Sequence, residues 1–268
     1  MSWFFYTTLW ALSLAGTTWV LADNLPTRLV FLLALLCLYL ITLALGSAYP
    51  RMNFYFASVC RGPADQGWVS LTFDDGPDPK VTPELLQILK DEGVKAAFFM
   101  VGRAAEAHPA LVKRVEADGH LIGNHMFDHQ AGWPFRPAFA IRQELARANE
   151  LLAKLIGNRP RFVRMPFSIS RPGLVRTFRK LNLTPVGWDV RGLEGVYREP
   201  ARIAEHVANE ARNGSVILLH ECYYRTLDFG PERVVETVRL VIARLRERGF
   251  VFKRLDEMLE LEGYIHEA

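Results

Sequence analysis

The sequence predicts an α/β chain in which a two-helix transmembrane hairpin precedes a parallel β/α barrel. Three observations carry this. Two stretches near the start, Trp3 to Ala22 and Leu29 to Tyr49, hold no charged residue. From Trp68 onward, short apolar runs of strand character alternate with segments of helical periodicity, the pattern of parallel βαβ units. About seven such units follow one another, which suits a barrel better than an open sheet. The predicted domains are a hairpin over residues 1–50, a linker over 51–67 and a barrel over 68–268.

Each uncharged stretch is long enough for the roughly 20 helical residues that cross a bilayer core. Neither shows the polar face of a soluble core helix. Trp3, Tyr6, Trp19 and Tyr49 stand near the ends, where aromatic residues suit the membrane interface. Val20 and Ala22 make a passable signal-peptidase site, but no basic residue precedes the run and the run is long for a signal peptide. The connecting turn is expected over Asp23-Asn24-Leu25-Pro26-Thr27-Arg28. Arg51 and Arg61 after the second helix outnumber Arg28 in the turn, which places the barrel on the cytoplasmic face of the inner membrane. A net charge of +3, with no basic run interleaved with aromatics, gives no case for nucleic acid. Cys37 falls in a membrane helix, while Cys60 and Cys222 either pair or stay free.

Within the barrel, Thr82-Pro83 reads as a helix start with Thr82 as N-cap. Ala96 to Val101 is a buried strand, His108 to Asp118 a helix and His120 to Gly123 the next strand. Pro137 to Ile156 is the clearest helix, with Ile141, Leu145, Ala148, Leu152 and Leu155 at helical spacing. Phe162 to Arg164, Leu183 to Val190 and Ser215 to Leu219 read as strands. Gly173 to Lys180, Pro200 to Ala211 and Glu232 to Arg248 read as helices. Val251-Phe252 and a short helix from Asp256 end the domain.

The residues able to do chemistry recur where strands end, the side on which parallel barrels hold ligands. Val69 to Phe73 runs into Asp74-Asp75, and Gly76-Pro77 stops the strand. Consecutive strand side chains face opposite ways, but at a frayed end both carboxylates can turn into one pocket. Two adjacent acids without a basic neighbour favour a cation between them. Taken alone, the stretch is equally an Asp-Gly-Pro turn. His125 and His129 are spaced to meet on one face of a helical turn, where two imidazoles grip one metal ion. One aspartate with these histidines makes a three-ligand set with a position left for water, and the other aspartate remains as a base. His220 and Arg164 also end strands; alone they are a structural histidine and a salt-bridge arginine, but in this company Arg164 can pin a carboxylate.

Taken together, Thr72-Phe73-Asp74-Asp75-Gly76-Pro77, His125 to His129, Arg164-Met165-Pro166-Phe167 and Leu218-Leu219-His220 resemble the ordered motifs of the polysaccharide deacetylase family, carbohydrate esterase family 4. The resemblance spans roughly Trp68 to Phe252. It implies a deformed (β/α)7 barrel that removes acyl groups from amino sugars with a divalent metal, usually zinc. It implies Asp75, His125 and His129 as metal ligands, Asp74 as general base oriented by Arg164, and His220 as general acid. The backbone N–H of Phe167 would hold the oxyanion and Leu218 would line the acyl pocket. The chain departs from the family where Glu194-Gly195 replaces the usual Asp-Trp. Glu194 keeps a carboxylate for a basic partner and is counted with Phe167 and Leu218 at the substrate, but one wall of the acyl pocket is lost. Phe167 stands where Tyr is common, Ser168 where Gly is usual and Met126 where Ser or Thr steadies the histidine loop. None of these changes touches a ligand, base or acid, so the substrate is expected to differ more than the reaction.

The expected function is metal-dependent hydrolysis of an acetyl or formyl group from an amino sugar on a lipid-linked glycan or a surface-polysaccharide precursor. Expected partners are the N-acylated sugar, in one form polyprenyl-phosphate-linked, and membrane lipids. The alternative is a catalytically inactive barrel that binds glycan or scaffolds a membrane complex, which need not hold stoichiometric metal.

Overall fold

A computed structural model describes residues 2–22, 24–221 and 230–265. Two helices open the chain, α1 (Trp3–Leu21) and α2 (Leu25–Ala48). There follow β1 (Trp68–Asp74), α3 (Thr82–Asp91), β2 (Ala97–Met100), α4 (Gly102–Ala107), α5 (Pro109–Ala117), β3 (Leu121–Asn124) and α6 (Ala138–Ile156). Next come β4 (Arg159–Pro160), β5 (Phe162–Val163), α7 (Leu174–Lys180), β6 (Thr184–Pro185), β7 (Val190–Arg191) and α8 (Pro200–Glu210). The chain ends with β8 (Ser215–His220), α9 (Pro231–Glu247), β9 (Val251–Phe252), α10 (Leu255–Leu259) and β10 (Tyr264–Ile265).

The main sheet runs in the order β6-β5-β3-β2-β1-β8-β7, with every pair parallel and β9 beside the start of β1. It curls into the deformed (β/α)7 barrel that the family resemblance implies, open between β6 and β7. The expected strand over 183–190 is divided into those two edge strands, β6 pairing with β5 and β7 with β8. Within the stretch expected as linker, the Val59 N–H donates to the Pro185 carbonyl at 3.0 Å and the Val59 carbonyl accepts from Gly187 N–H at 2.9 Å. Arg61 pairs with Ser215 at the start of β8. This segment therefore satisfies backbone groups on both sides of the opening, which would otherwise be bare sheet edges.

Alternation along β1 divides its side chains between two layers. Leu71 and Phe73 face outward, packed with Phe98, Met100, Ile217 and Leu219 under helix residues such as Leu85, Leu89, Val241 and Leu245. Thr72 and Asp74 face inward. At the N-terminal end the interior is filled by Ala97, Phe99, Leu121, Phe162 and Val216, closed below by Leu255 and Met258. The opposite end is left to polar groups, and there the site lies.

Three local expectations change. Thr82 is the first residue of α3 and not its cap; Asp78 caps the turn instead, its Oδ1 accepting from Lys80 and Val81 N–H at 2.8 and 3.0 Å. Arg28 lies inside the first turns of α2, not in the connecting turn, and its Nε reaches back to the Ala22 carbonyl at 3.0 Å. The two N-terminal helices pack together, with Thr8 Oγ1 and Tyr39 Oη 2.8 Å apart. However, among the described residues α2 alone is long and apolar enough to cross a membrane, with mean hydropathy 2.7. The four threonines, Ser13, Tyr6 and three tryptophans of α1 lower its hydropathy.

Candidate active site

Asp74 is the last residue of β1 and keeps the inward orientation set by the pleat. Asp75 follows with φ 74°, in the left-handed region. In extended backbone its side chain would point away from that of Asp74; the reversed φ turns both carboxylates toward one pocket. The same device recurs around the site. Met126 (φ 63°), His129 (φ 48°), Phe167 (φ 57°) and Leu193 (φ 59°) are also left-handed without being glycine. Each such residue costs on the order of 1 kcal/mol or more, and this clustering is the usual mark of a functional site.

His125 and His129 come together, but not on the helical turn their spacing suggests. They lie in an irregular loop after β3, and the left-handed residues Met126 and His129 supply the curvature. The loop is held from below. Asn124 Oδ1 accepts the Met126 N–H at 2.9 Å, while Asn124 Nδ2 donates to the Leu145 carbonyl at 2.9 Å. The Met126 carbonyl accepts from Gly102 N–H and the Phe127 carbonyl from Arg103 N–H, each at 2.8 Å. The Asn124 amide thus steadies the loop through its backbone, and the Met126 side chain is buried with Trp133 and Ile141. Sequence reasoning passed over Asn124, although a small amide immediately before a histidine at a strand end is a known loop-capping position.

The ligating atoms of Asp75, His125 and His129 all lie within 4.8 Å of one another. Asp75 Oδ1 is 3.0 Å from His129 Nε2 and 3.4 Å from His125 Nε2. That oxygen is buried and makes no hydrogen bond of good geometry. The three atoms therefore converge on a shared point more than on each other. His125 Nδ1 meets the Arg164 carbonyl at 2.7 Å, which leaves Nε2 turned to the cluster. That outer contact is how a ligating imidazole is normally oriented. One carboxylate and two imidazoles fit a divalent ion of zinc type. Electrostatics agree. Burial works to raise Asp75, yet the two adjoining imidazoles hold its carboxyl well below the usual range. Burial works against a charged His125, but Asp74 and Asp75 outweigh it and raise its pKa.

Asp74 faces the same pocket with Oδ2 3.8 Å from His125 Nε2. Arg164 crosses the barrel interior beneath it, Nη1 donating to Asp74 Oδ1 at 2.7 Å and to Thr72 Oγ1 at 2.8 Å. Its Nη2 donates to the Gly187 carbonyl at 2.9 Å, and the guanidinium lies 4.1 Å over the Phe99 ring. Thr72 was named in the sequence only as part of a motif; its hydroxyl proves to share the arginine with Asp74.

On the other side, Glu194 Oε1 accepts the His220 backbone N–H at 3.1 Å and lies 3.3 Å from His220 Nδ1. Burial opposes charge on His220, but Glu194 overcomes it and pushes the pKa up to about 9. The same contact lowers Glu194 against the effect of its own burial. Glu194 thus meets, in His220, the basic partner for which its carboxylate was expected to serve. Leu218 is buried two residues before His220 on the same strand face, in register with Thr72. Phe167 is at the rim, its ring 4.6 Å from that of His129. A groove of about 530 Å³ opens beside these two residues, lined further by Val101, Arg103, Asp128 and Ala131.

Residues 61–186 match the family model described as polysaccharide deacetylase, a range that contains the two aspartates, both histidines and Arg164. A peptidoglycan-N-acetylglucosamine deacetylase of Bacillus cereus is 32% identical over 211 residues, 76% of this chain and 73% of that protein. A chitooligosaccharide deacetylase of Azorhizobium caulinodans is 30% identical over 198 residues, 71% of this chain and 94% of that protein. The chain belongs to the polysaccharide deacetylase family. A solved peptidoglycan N-acetylglucosamine deacetylase, in complex with 4-naphthalen-1-yl-N-oxidanyl-benzamide, superposes with a TM-score of 0.70 at 31% identity. That match covers 77% of this chain and 94% of the other. As a polysaccharide deacetylase the chain departs from the motifs in residues that steady or flank the site, and the ligand cluster is intact.

Proposed function

We propose that this chain hydrolyses the N-acyl group of an amino sugar, using a divalent metal, zinc by its donor set, held by Asp75, His125 and His129. The observation that carries this is the placement of Asp74 and His220 beside the cluster, each backed by a buried partner of opposite charge type. Arg164 Nη1 donates to Asp74, and Glu194 raises the pKa of His220. When bound, the metal would lower the pKa of water and polarise the acyl carbonyl. Asp74 accepts the proton of the attacking water, with Arg164 and Thr72 fixing its position. The Phe167 backbone N–H donates to the oxyanion as charge develops. His220 hands its Nε2 proton to the departing amine, because an unprotonated amine is a poor leaving group. Glu194, on the Nδ1 side, balances the charge of the imidazolium. The relatives named for peptidoglycan N-acetylglucosamine and for chitooligosaccharides support an N-acetylated sugar as substrate.

The deciding experiment is Asp74→Asn. Metal content should stay near that of the parent, while turnover on an N-acetylated oligosaccharide falls by about 10²-fold or more, as expected for loss of a general base. Normal turnover would require another base. A parent protein that takes up no metal and turns over no N-acylated sugar would favour the glycan-binding or scaffolding alternative.

The reading extends to location. The length, hydropathy and exposure of α2 support a membrane tether, and Arg51 and Arg61 beyond it support a barrel on the cytoplasmic side. A tethered barrel suits a lipid-linked sugar, such as one on polyprenyl phosphate, better than a distant polymer.

A further inference from the structure

The loop that carries both histidines continues into a short 3-10 turn, Trp133–Phe135, before α6. Trp133 is fully buried, and its Nε1 donates to the Pro166 carbonyl next to Phe167 at 3.3 Å. Arg171 Nη1 donates to the Pro134 and Arg136 carbonyls at 2.7 and 2.6 Å, clasping the turn on both sides of Phe135. A turn anchored this firmly nevertheless presents Phe135 at 93% exposure, with Phe139 at 61% four residues on. From Gln130 to Ala140 the sequence has no acid and one charged residue, Arg136. One exposed phenylalanine on a fixed turn and a second in the first turn of α6 are a costly surface in water. Neither ring lines the groove at His129, so stacking on the sugar does not explain them.

The same turn is tied to the end of α2. Ser170 N–H donates to the Ser47 carbonyl at 2.9 Å, and Ser170 is the chain neighbour of Arg171. At the same end of α2, Gly46 admits the Phe54 ring: a Cβ there would meet it at 2.3 Å. The connection from the end of α2 through Ser170 and Arg171 to the Phe135 turn is thus one main-chain bond and one side chain long. If α2 enters a bilayer, Phe135 lies within reach of its headgroup layer.

We propose that the Phe135–Phe139 rim seats in the lipid surface of the bilayer that α2 enters, so that the catalytic mouth opens against the headgroups. Exposed Phe on a segment without acids is the composition of interfacial contacts, the rings entering the acyl boundary, while Arg136 is already paired with Glu144. The proposal rests on reading α2 as a membrane span. It deepens the reading of the substrate, since an acylated sugar on a lipid carrier would arrive at this mouth without leaving the surface.

The test uses the full chain in liposomes of phosphatidylcholine and phosphatidylglycerol that contain a diazirine-bearing phospholipid. After photolysis, labelled peptides are mapped for the parent and for the Phe135→Ser/Phe139→Ser double variant. The expected result is label on α2 and on residues 131–140 of the parent, with the loop label lost and the α2 label kept in the variant. Label on α2 without label on the loop overturns the rim while leaving the membrane span in place. Label on neither overturns the span and the rim together. Loop label that persists in the variant shows that the two rings do not seat the loop, and overturns the proposal.

Discussion

Arg164 and Asp74 form a buried pair, Nη1 to Oδ1 at 2.7 Å, each side chain at most 5% exposed. A buried pair is weak evidence for net stability, because desolvation offsets attraction. Breaking it is another matter, since the remaining charge loses its partner. Arg164→Met should therefore destabilise the fold by about 3–5 kcal/mol, read by chemical denaturation, and should also depress turnover. Arg164→Lys keeps a charge but loses the fork that reaches Thr72 and Gly187, so activity should fall further than stability. Denaturation of Arg164→Met within about 1 kcal/mol of the parent, well below the cost of stranding a buried charge, would mean that the pair does not hold Asp74.

His220 and Glu194 set a pH limb. The His220 pKa rises from 6.5 to about 9 in the fold. Its contribution to stability is therefore complete below about 6.5 and is lost as pH rises through about 9. The protonated imidazole needed as an acid persists over the same range. A cation bound at Asp75 opposes part of the rise. Glu194→Gln removes the supporting charge, so the alkaline limb of kcat should move toward lower pH, with metal content unchanged. A limb that stays in place would separate Glu194 from the acid.

Metal removal should loosen the site. Ligand bound only to the native state stabilises by about 2.7 kcal/mol at a hundredfold excess over Kd. Chelation should lower Tm and abolish turnover, and added zinc should restore both. His125→Ala should lose the response of Tm to chelator. A melting curve indifferent to chelator in the parent would remove Asp75, His125 and His129 as a metal site.

Glu221 is buried behind the Gly76 turn, and its Oε2 accepts the Thr82 hydroxyl. A Cβ on Gly76 would stand 1.9 Å from Glu221 Oε1, so the glycine admits the carboxyl. Burial pushes this group up from 4.5 to about 8. Across that interval the unfolded chain is ionised while the native one keeps its proton, so stability falls as pH rises. Glu221→Gln keeps the shape without the titration. Its Tm should change less between pH 5 and pH 8 than that of the parent; an equal change would assign the dependence elsewhere.

Much of this was legible in the chain because it is local. Alternating apolar periods gave β1, α6, α8 and α9 nearly to the residue, since each buries one face against the sheet. The acids, histidines, Arg164 and His220 could be picked out because all end strands, and the C-terminal strand ends of a parallel barrel meet. What the sequence could not supply is relations between distant segments. The left-handed turns at Asp75 and His129 aim the ligands, and no residue type announces them, because a non-glycine accepts that backbone only when its surroundings hold it there. Glu194 reads as a carboxylate for some basic partner, and only the fold names that partner as His220. Thr82 reads as a helix cap until Glu221, 139 positions away, takes its hydroxyl. The path of residues 58–62 along the barrel opening is likewise invisible locally, since its partners are backbone groups of β6 and β8. Composition and periodicity determined the elements and the chemistry they carry. Orientation and second partners were decided only when tertiary contacts fixed which face of each element met which neighbour.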